Sequence, residues 1–589
     1  MDGLVEKMDA GGVVMAAALV VVSLYLVLYR LQLTKTHPNE PPIVASPIPF
    51  VGHLLGMAFQ GGRYVKGLGL RNRGKLIFTL PVPGSRIYMV TDPSLAAAVQ
   101  RASKALSFTP LVPDITKRVL GLDAATVDIV RQNLDPEPGE QRGFLADIHD
   151  MVYAYLGPGD ALNQLSFAAA TELASQVNAY AAGLPLSEHL PQPHEQAEVQ
   201  VRTVNLLLWV RHFVAIATAR FLYGDDNPIA ARPELEEAFW DFDHGLGSLL
   251  MNVLPAVTAR KPYRGREALA AAFAEYLRAG RHEKLADNSI VRKRVAIALA
   301  HGWTLEAAAR SEVSFLFAGI VNTATTTFWV VLQIFASAGL LAEVREELWA
   351  AYTTTTTTAV VERGETGDDE EEEELLSLSL DHVKTRCPTL LAVFRECLRL
   401  GSDNYSTRLV KTDTALAGGR FHLRAGSVVQ IAGGAIHADK TIWGPDADEF
   451  NPGRFAKLQQ QQQQQQQTQT QAGGGGGGGG IHPAAFRAFG GGKTLCPGRH
   501  FATHEILAFV AMIVLTFDLE APPGTAAGAA IVVPGKEDGV LPVHILEPKK
   551  DVHVIVRLAD GREGPRREQE GGDGWPQRRR RRRRRIVVV

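Results

Sequence analysis

Cys496 is the side chain in this sequence whose type and setting best suit it to chemistry. It lies in the stretch F-G-G-G-K-T-L-C-P-G-R over residues 489–499, and an apolar segment with helical periodicity follows. Pro497 suits the first position of a helix, so we expect that helix to begin directly after the thiol. The positive end of the helix and its free N–H groups would then lower the pKa of the thiol and favour metal ligation.

The glycines around Cys496 favour the approach of a large, flat group. Gly490, Gly491, Gly492 and Gly498 carry no side chains, so the backbone there could lie close to such a group. A buried free thiol beside a glycine-rich turn is the alternative, because unreactive cysteines are common in protein cores.

Two further stretches indicate a buried ion network. In L-L-A-V-F-R-E-C-L-R-L, Glu396 and Arg399 are three residues apart on an apolar helix and therefore share one face. Opposite charges buried on such a face need pairing. Arg454 follows in F-N-P-G-R-F over residues 450–455. A surface pair and an ordinary turn are the alternatives for the two stretches taken singly.

A long apolar segment over residues 305–338 predicts a central helix. Ala318 and Gly319 are small residues in its middle, where a flat group could lie against the backbone. Asn322 and Thr323 follow one turn later. An amide forms hydrogen bonds but is a poor proton donor or acceptor. Asn322 could alternatively satisfy a carbonyl of its own helix.

Taken in order, these stretches resemble the motifs of the cytochrome P-450 family over roughly residues 38–557. Residues 489–498 resemble its haem-thiolate signature, F-x-x-G-x-x-x-C-x-G. The resemblance implies a mainly α fold with a small β part, and a single catalytic domain. It also implies that Cys496 is the ligand of the iron of haem b, and that Phe489, Gly492 and Gly498 belong to the haem-binding loop.

The other two motifs are similar to the E-x-x-R helix and the F-x-P-x-R-F segment of that family. The resemblance implies one structural ion network of Glu396, Arg399 and Arg454. It also gives Arg408, nine residues after Arg399, the role of binding a haem propionate. Many relatives carry Arg or His two residues before the cysteine, whereas this chain has Thr494, so the contact to the other propionate is in doubt.

The central helix departs from the A-G-x-(D/E)-T-T pattern of the family. Val321 stands at the acid position and Asn322 at the first threonine position. This form is similar to the branch that contains sterol 7α-hydroxylases and prostacyclin synthase, as is the Y-G-x-x-N-P stretch at 223–228. The candidate catalytic residues are therefore Ala318, Gly319, Asn322 and Thr323.

The N-terminus predicts a membrane anchor. Residues 11–31 carry a single charge, Arg30, and as a helix they would extend about 30 Å. Basic residues follow this segment, whereas an acidic stretch precedes it. This asymmetry favours a single-pass protein of the endoplasmic reticulum with its catalytic domain in the cytosol, over a cleaved signal peptide. A proline-rich hinge at 37–53 and the catalytic domain at 54–557 come next.

Composition limits the remaining possibilities. The chain has 589 residues, of which 46% are hydrophobic, and its net charge is −2; without the eight arginines at 578–585 this becomes −2 − 8 = −10. An acidic body argues against a nucleic-acid partner. Low-complexity insertions at 353–374 and 459–480 are expected to form solvated loops, and 561–589 a disordered arginine-rich tail. Cys387 and Cys397 are expected to be core thiols.

The resemblance implies a monooxygenase that uses O2 to oxidise a lipophilic substrate, such as a sterol, a terpenoid or another secondary metabolite. The electrons would come from NADPH, and a flavin reductase would deliver them. Val321 and Asn322 motivate an alternative, a reductase-independent isomerase or dehydratase that acts on a peroxide. A catalytically silent haem-binding membrane protein is the third hypothesis, and the insertions near the cysteine motivate it.

Overall fold

The N-terminal helix stands apart from a mainly helical body. The computed structural model describes residues 10–184, 202–357, 372–458, 481–524, 530–559 and 582–589. Helix α1 is Ala10–Gln32. Its stretch Val14–Gln32 has a mean hydropathy of 2.2 and is 0% buried, so it has the length and composition of a membrane span. Three other helices among the described residues are also long and apolar enough to span a membrane, with mean hydropathies of 1.2 to 1.6, but at least 72% of each apolar stretch is buried and belongs to the core.

The proline-rich segment that follows α1 is attached to the body. The side chain of Gln32 donates to the carbonyl of Ser46 over 3.0 Å, and Tyr25 donates to the carbonyl of Pro47 over 3.1 Å. The backbone of Thr79 exchanges hydrogen bonds with Pro42 and Val44. Residues 37–53 therefore hold the base of the anchor against the first strand.

Helices form most of the body, which agrees with the predicted fold class. After α1, the α-helices are α2 (Gly52–Arg71), α3 (Pro93–Arg101), α4 (Val112–Leu120), α5 (Ala124–Val130), α6 (Phe144–Leu156), α7 (Asp160–Ala182), α8 (Leu206–Tyr223), α9 (Pro228–Ala231), α10 (Glu234–His244), α11 (Leu246–Met251), α12 (Pro255–Thr258), α13 (Arg260–Arg278), α14 (Ile290–Ala300), α15 (Leu305–Phe335), α16 (Ala338–Ala351), α17 (Leu380–Arg386), α18 (Pro388–Gly401), α19 (Gly433–His437), α20 (Lys440–Trp443) and α21 (Arg499–Thr516).

The strands are short and form small sheets. They are β1 (Ile77–Val82), β2 (Ser85–Val90), β3 (Leu106–Ser107), β4 (Thr203–Asn205), β5 (Thr353–Thr357), β6 (Glu372–Leu378), β7 (Tyr405–Val410), β8 (Thr414–Leu416), β9 (Phe421–Leu423), β10 (Val428–Ala432), β11 (Phe517–Glu520), β12 (His553–Leu558) and β13 (Arg582–Val588). The largest sheet has the order β1-β2-β10-β7-β3, in which only β2 and β10 are parallel. The others are β11-β12-β4, β13-β6-β5 and β8-β9.

Helix α15 runs through the centre of the body. The side chain of Thr304 caps its first turn by accepting from the N–H of Ala307. Apolar residues occur all round this helix, which is the pattern of a fully buried helix. It packs against α8, α13, α18 and α21. The core therefore surrounds the segment that carries the candidate catalytic residues.

The end of the chain differs from the sequence-based expectation. Residues 561–589 were expected to be disordered, but Arg582–Val588 form strand β13, which pairs in parallel with β6. Ile586 and Val588 are 3% and 7% exposed. The side chain of Asn178 on α7 accepts from the N–H of Ile586 over 3.0 Å and donates to its carbonyl over 2.9 Å. β-Branched residues after the arginines thus supply an apolar strand that α7 can hold.

The first insertion also differs from the expected solvated loop at both of its ends. Residues 353–357 form β5 and residues 372–378 form β6, and these two strands pair antiparallel. Residues 358–371, the second insertion at 459–480 and residues 560–581 of the tail lie outside the described residues.

Candidate active site

The middle of α15 has an exposed face although the helix lies inside the body. Ala318 and Asn322 are exposed, whereas Ile320, Val321 and Ala324 are at most 1% exposed. Residues four apart lie on one face of a helix, so the two exposed residues border a common space. An internal space beside small and polar residues is a candidate binding site.

Gly319 and Thr323 do not share this face. A Cβ atom on Gly319 would lie 3.1 Å from Cγ2 of Thr218, so the absence of a side chain there allows α8 to pack closely. Thr323 is 4% exposed, and its hydroxyl donates to Oε2 of Glu505 on α21 over 3.4 Å. The structure thus places these two residues in contacts between α15 and its neighbouring helices, and their expected catalytic role stays a prediction.

Glu505 is a functional candidate that the sequence analysis missed. It is 1% exposed, burial raises its pKa to about 8, and its Oε1 has no hydrogen-bond partner among the described residues. The signal was present in the sequence, since Glu505 is the only acidic residue in the apolar run of α21. A buried carboxyl group that stays protonated near neutral pH can donate a hydrogen bond.

Asn322 is bound to a loop rather than to its own helix. Its Oδ1 accepts the backbone N–H of Ile545 over 2.9 Å. The indole N–H of Trp329, two turns further along α15, donates to the carbonyl of Leu546 over 2.8 Å. Two hydrogen bonds thus hold the loop at 543–547 against α15. Of the two residues of α15 that form them, Asn322 lies beside the internal space.

Cys496 lies on a loop that precedes α21 by three residues. Its backbone N–H donates to the carbonyl of Phe489 over 2.9 Å, which closes the glycine-rich loop. The helix begins at Arg499, so the expectation that Pro497 occupies its first position was wrong. The glycine at 498 is the N-terminal cap and leaves space beside the sulfur: a Cβ atom there would lie 3.8 Å from Sγ of Cys496.

The surroundings of Cys496 do not lower the pKa of its thiol. Burial raises this pKa, and the effect outweighs the opposing effects of the Gly498 and Arg499 backbone amides and of the Arg499 charge. The expectation of a lowered pKa was therefore wrong. A metal ion would reverse the balance, because a coordinated thiol is deprotonated.

Two buried arginines flank the same loop. Arg408 is 5% exposed and donates to the carbonyl of Gly491 and to the hydroxyl of Thr494. Arg487 is 2% exposed and donates to the hydroxyl of Ser406 over 3.2 Å. Neither forms an ion pair with a carboxylate of the described residues, and burial lowers both pKa values, that of Arg487 to about 10.

The guanidinium groups of Arg408 and Arg487, which lack a carboxylate partner among the described residues, favour the binding of a dianionic ligand. The sequence analysis identified Arg408 but missed Arg487. Its position two residues before Phe489 in F-R-A-F-G was the available signal. Arg487 can supply the positive charge that Thr494 does not provide.

The remaining loop residues have structural roles around this site. Gly492 is exposed, has a φ of +63°, and would place a Cβ atom 2.9 Å from Cβ of Gln100. A side chain at this position would therefore be strained and crowded. Phe489 is half-buried and packs against the main core.

The structure brings Glu396, Arg399 and Arg454 together. Glu396 accepts two hydrogen bonds from Arg399, of 2.7 and 2.8 Å, and one of 3.0 Å from Arg454. Arg399 also donates to the carbonyls of His437 and Ala447. The network joins α18 to the segment before the second insertion. Cys387 and Cys397, in contrast, are buried thiols of the main core, and burial raises their pKa values.

The residues present fit a large, flat, dianionic cofactor with a thiolate-ligated metal. The loop offers one thiol and two buried cations, and α15 presents a face without bulky side chains. Haem b has this combination of iron, planar ring and two propionates. These features define a haem-thiolate protein of mainly helical fold.

Comparisons with known proteins assign the family. A family model described as cytochrome P450 matches residues 277–529. Cytochrome P450 monooxygenase nodJ of Hypoxylon pulicicidum is 30% identical over 488 residues, which cover 82% of this chain and 84% of the relative. The chain therefore belongs to the cytochrome P450 family and is a monooxygenase.

More distant relatives agree with this assignment. Cytochrome P450 7A1 of Sus scrofa is 24% identical over 538 residues, which cover 90% of this chain and 95% of the relative. This match supports the predicted resemblance to 7α-hydroxylases. The solved structure of a retinoic acid-bound cyanobacterial cytochrome P450 has a TM-score of 0.60 at 19% identity, and the match covers 88% of this chain and 99% of that one. At this identity the match shows a common fold.

Proposed function

We propose that this protein is a membrane-anchored haem-thiolate monooxygenase that oxidises a lipophilic substrate, with Cys496 as the iron ligand. One observation carries the proposal: the loop that holds the Cys496 thiol is flanked by Arg408 and Arg487, two buried cations with no carboxylate partner among the described residues. The cations suit the two propionates of haem b, and the thiol suits its iron.

The reaction needs electrons and protons from outside the chain. The chemistry that a thiolate-ligated haem supplies is reductive O2 activation: one oxygen atom enters a C–H bond of the substrate and the other leaves as water, at the expense of two electrons and two protons. We infer NADPH as the electron source and a flavin reductase as the protein that delivers the electrons, as the family implies.

We infer four tasks for the described residues in this reaction. Arg408 and Arg487 would bind the cofactor, Ala318 would leave room for it, and Asn322 holds the loop at 543–547 beside the internal space. The buried carboxyl group of Glu505 and the hydroxyl of Thr323 join α15 to the helix that follows the thiol. They position the two elements that carry the site.

Exposed apolar side chains support a membrane location and a lipophilic substrate. Phe59 on α2, Leu254 before α12 and Val257 on α12 are 80%, 73% and 75% exposed. Leu541, on a loop that the backbone of Gly62 holds in place, is exposed near α11. Together with α1, such apolar surface favours contact with a bilayer. We infer that the anchor lies in the endoplasmic reticulum membrane with the catalytic domain in the cytosol.

The proposed monooxygenase function is tested with the full chain in lipid nanodiscs. The reduced protein with carbon monoxide should give the spectrum of a thiolate-ligated haem, and a lipophilic substrate should change the spin state of the iron. With NADPH and its flavin reductase, that substrate should be hydroxylated. Absence of the thiolate-type spectrum in a haem-loaded protein would overturn the proposal.

A second candidate function is the rearrangement or dehydration of a peroxide without a reductase. The replacement of the usual acid and alcohol by Val321 and Asn322 favours it. Incubation of the purified protein with lipid hydroperoxides, without NADPH and reductase, separates the two functions. Product formation there, with no hydroxylation in the reductase assay, would select the second function.

A further inference from the structure

Aspartate, glutamate and histidine side chains, which are types that commonly bind metals, form a group outside the cysteine loop. We name it the Asp243 cluster; it consists of Asp243 and His244 at the end of α10, and of His544 and Glu547 on the loop before β12. One ligand atom each from Asp243, His244 and Glu547 lies within 4.8 Å of the others. Nε2 of His544 lies 3.4 Å from Oδ1 of Asp243. The cluster thus joins two separate elements.

Asp243 lacks the partners that a buried carboxylate requires. Its side chain is 0% exposed, and neither of its oxygens has a hydrogen-bond partner among the described residues. Desolvation raises its pKa. A carboxylate taken out of water is costly unless a cation or hydrogen-bond donors compensate it. The geometry therefore leaves a place for a positive charge beside Asp243.

The ring of His544 is oriented as in a metal ligand. Its Nδ1 lies 2.9 Å from the carbonyl of Ile545, and because a carbonyl only accepts, Nδ1 carries the hydrogen. In the neutral ring, Nε2 then carries a lone pair, and it lies 3.4 Å from Oδ1 of Asp243. Two acceptors at 3.4 Å repel each other unless a proton or a metal ion lies near both. Histidine ligands of metals commonly donate their other N–H to a backbone carbonyl in this way.

The permanent positive charge nearest to the cluster is bound to Glu547 rather than to Asp243. Arg211 is the fixed cation at this place, but it donates to Oε1 of Glu547 and lies 4.2 Å from the centre of the Trp240 ring. It therefore neutralises Glu547 and leaves the charge of Asp243. Nε2 of His244 lies 3.3 Å from the same Oε1 of Glu547 and 3.5 Å from Nη2 of Arg211.

We propose that the Asp243 cluster binds a divalent transition-metal ion, for which Zn2+ is the probe. The ligand atoms that lie together come from one imidazole and two carboxylates, and the imidazole of His544 lies beside Asp243. Such a mixed nitrogen and oxygen set suits zinc and related ions better than Ca2+ or Mg2+, which prefer oxygen ligands throughout. The ion would fasten α10 to the loop whose Ile545 is bound to Asn322. Metal binding would therefore stabilise the loop that borders the internal space.

The test uses the untagged, haem-loaded full chain, in which the thiol of Cys496 is already occupied. After treatment with a chelator, the protein is titrated with Zn2+ by calorimetry, and bound zinc and iron are counted by elemental analysis. We expect one saturable zinc ion per chain and a higher unfolding temperature with zinc than without it. Absence of saturable binding would overturn the proposal and would identify His544 and Asp243 as a proton-bridged pair.

Variants distinguish this site from other histidines. His244→Ala changes a half-exposed side chain and should leave the fold intact, and Asp243→Asn tests the buried carboxylate. Each should weaken zinc binding at least about tenfold, since even the loss of an outer-shell partner typically costs about 10- to 100-fold. His212→Ala is the control, because it removes a histidine that pairs with Glu236 between α8 and α10, outside the cluster. Equal affinity in all three variants would refute the site.

Discussion

Asn322 and Ile545 are 223 residues apart in the chain, and a hydrogen bond of 2.9 Å joins the side-chain oxygen of the first to the backbone N–H of the second. The amide therefore holds a loop in place at the position where the family pattern has threonine. From this contact we infer a positioning function for Asn322.

Removal of the hydrogen bond between Asn322 and Ile545 should loosen the loop at 543–547. Asn322→Ala loses one net hydrogen bond of about 1 kcal/mol, which corresponds to about a fivefold change in the population of the fastened loop. We expect product formed per NADPH consumed to fall several-fold. Asn322→Asp retains an acceptor and should be close to the wild type, and Asn322→Thr should retain turnover. Equal coupling in the Ala and wild-type proteins would contradict the positioning role.

Cys496→Ala should abolish the thiolate-type spectrum and hydroxylation together, because the chain then lacks the sulfur ligand. Cys397→Ala is the matched control, since it removes a buried thiol from α18 and leaves the loop unchanged. The measurement is the reduced carbon-monoxide difference spectrum. A thiolate-type spectrum in Cys496→Ala would contradict the assignment of Cys496 as the iron ligand.

Glu396→Ala should strongly destabilise the protein. It leaves Arg399 without its carboxylate partner in the core and removes one of the two carboxylate partners of Arg454, which keeps Asp446. Breaking a buried ion pair in this way typically costs about 3–5 kcal/mol. The free energy of unfolding in urea measures the loss, and the yield of haem-loaded protein should fall with it. Glu137→Ala, at an exposed pair with Lys104, should change stability by at most about 1 kcal/mol.

The pH dependence of stability should report the buried carboxyl group of Glu505. Its pKa is about 8 in the folded protein and 4.5 in an unperturbed group. Between these values the folded state holds a proton that the unfolded state has released. Stability should therefore fall as pH rises through this window, by up to about 1.4 kcal/mol per pH unit from this group.

Glu505→Gln keeps the neutral form at every pH and should lack this loss. The measurement is the urea midpoint at about pH 6 and about pH 8. Glu520→Gln, at a half-exposed carboxylate on β11, is the control and should retain the pH dependence of the wild type. Identical pH dependences for wild type and Glu505→Gln would exclude a protonated Glu505.

Arg487→Ala should reduce haem retention without changing the type of spectrum, since the iron ligand stays in place. Arg487→Lys restores the charge without the planar fork and should recover part of the retention. Transfer of haem to apomyoglobin measures the rate of loss. If Arg487→Ala releases haem as slowly as the wild type, Arg487 does not bind a propionate.

The sequence predicted the parts of the site that depend on short spacings. Glu396 and Arg399 share a helix face because they are three residues apart, and the residues around Cys496 follow one another directly. The binding of Asn322 to Ile545 and the approach of Arg487 to Arg408 depend on contacts between distant segments. The position of Arg487 before Phe489 was a local signal for that residue, but neither contact follows from a local spacing, so the partners became visible only in the folded chain.

The pairing of strand β13 with β6 has a practical consequence when this chain is shortened. In the sheet order β13-β6-β5, the last strand covers one edge of β6, and Asn178 holds its backbone. A protein truncated after β12 would present β6 as an open edge, ready to pair with another copy. We therefore expect that removal of the arginine-rich terminus to simplify expression would favour self-association and aggregation.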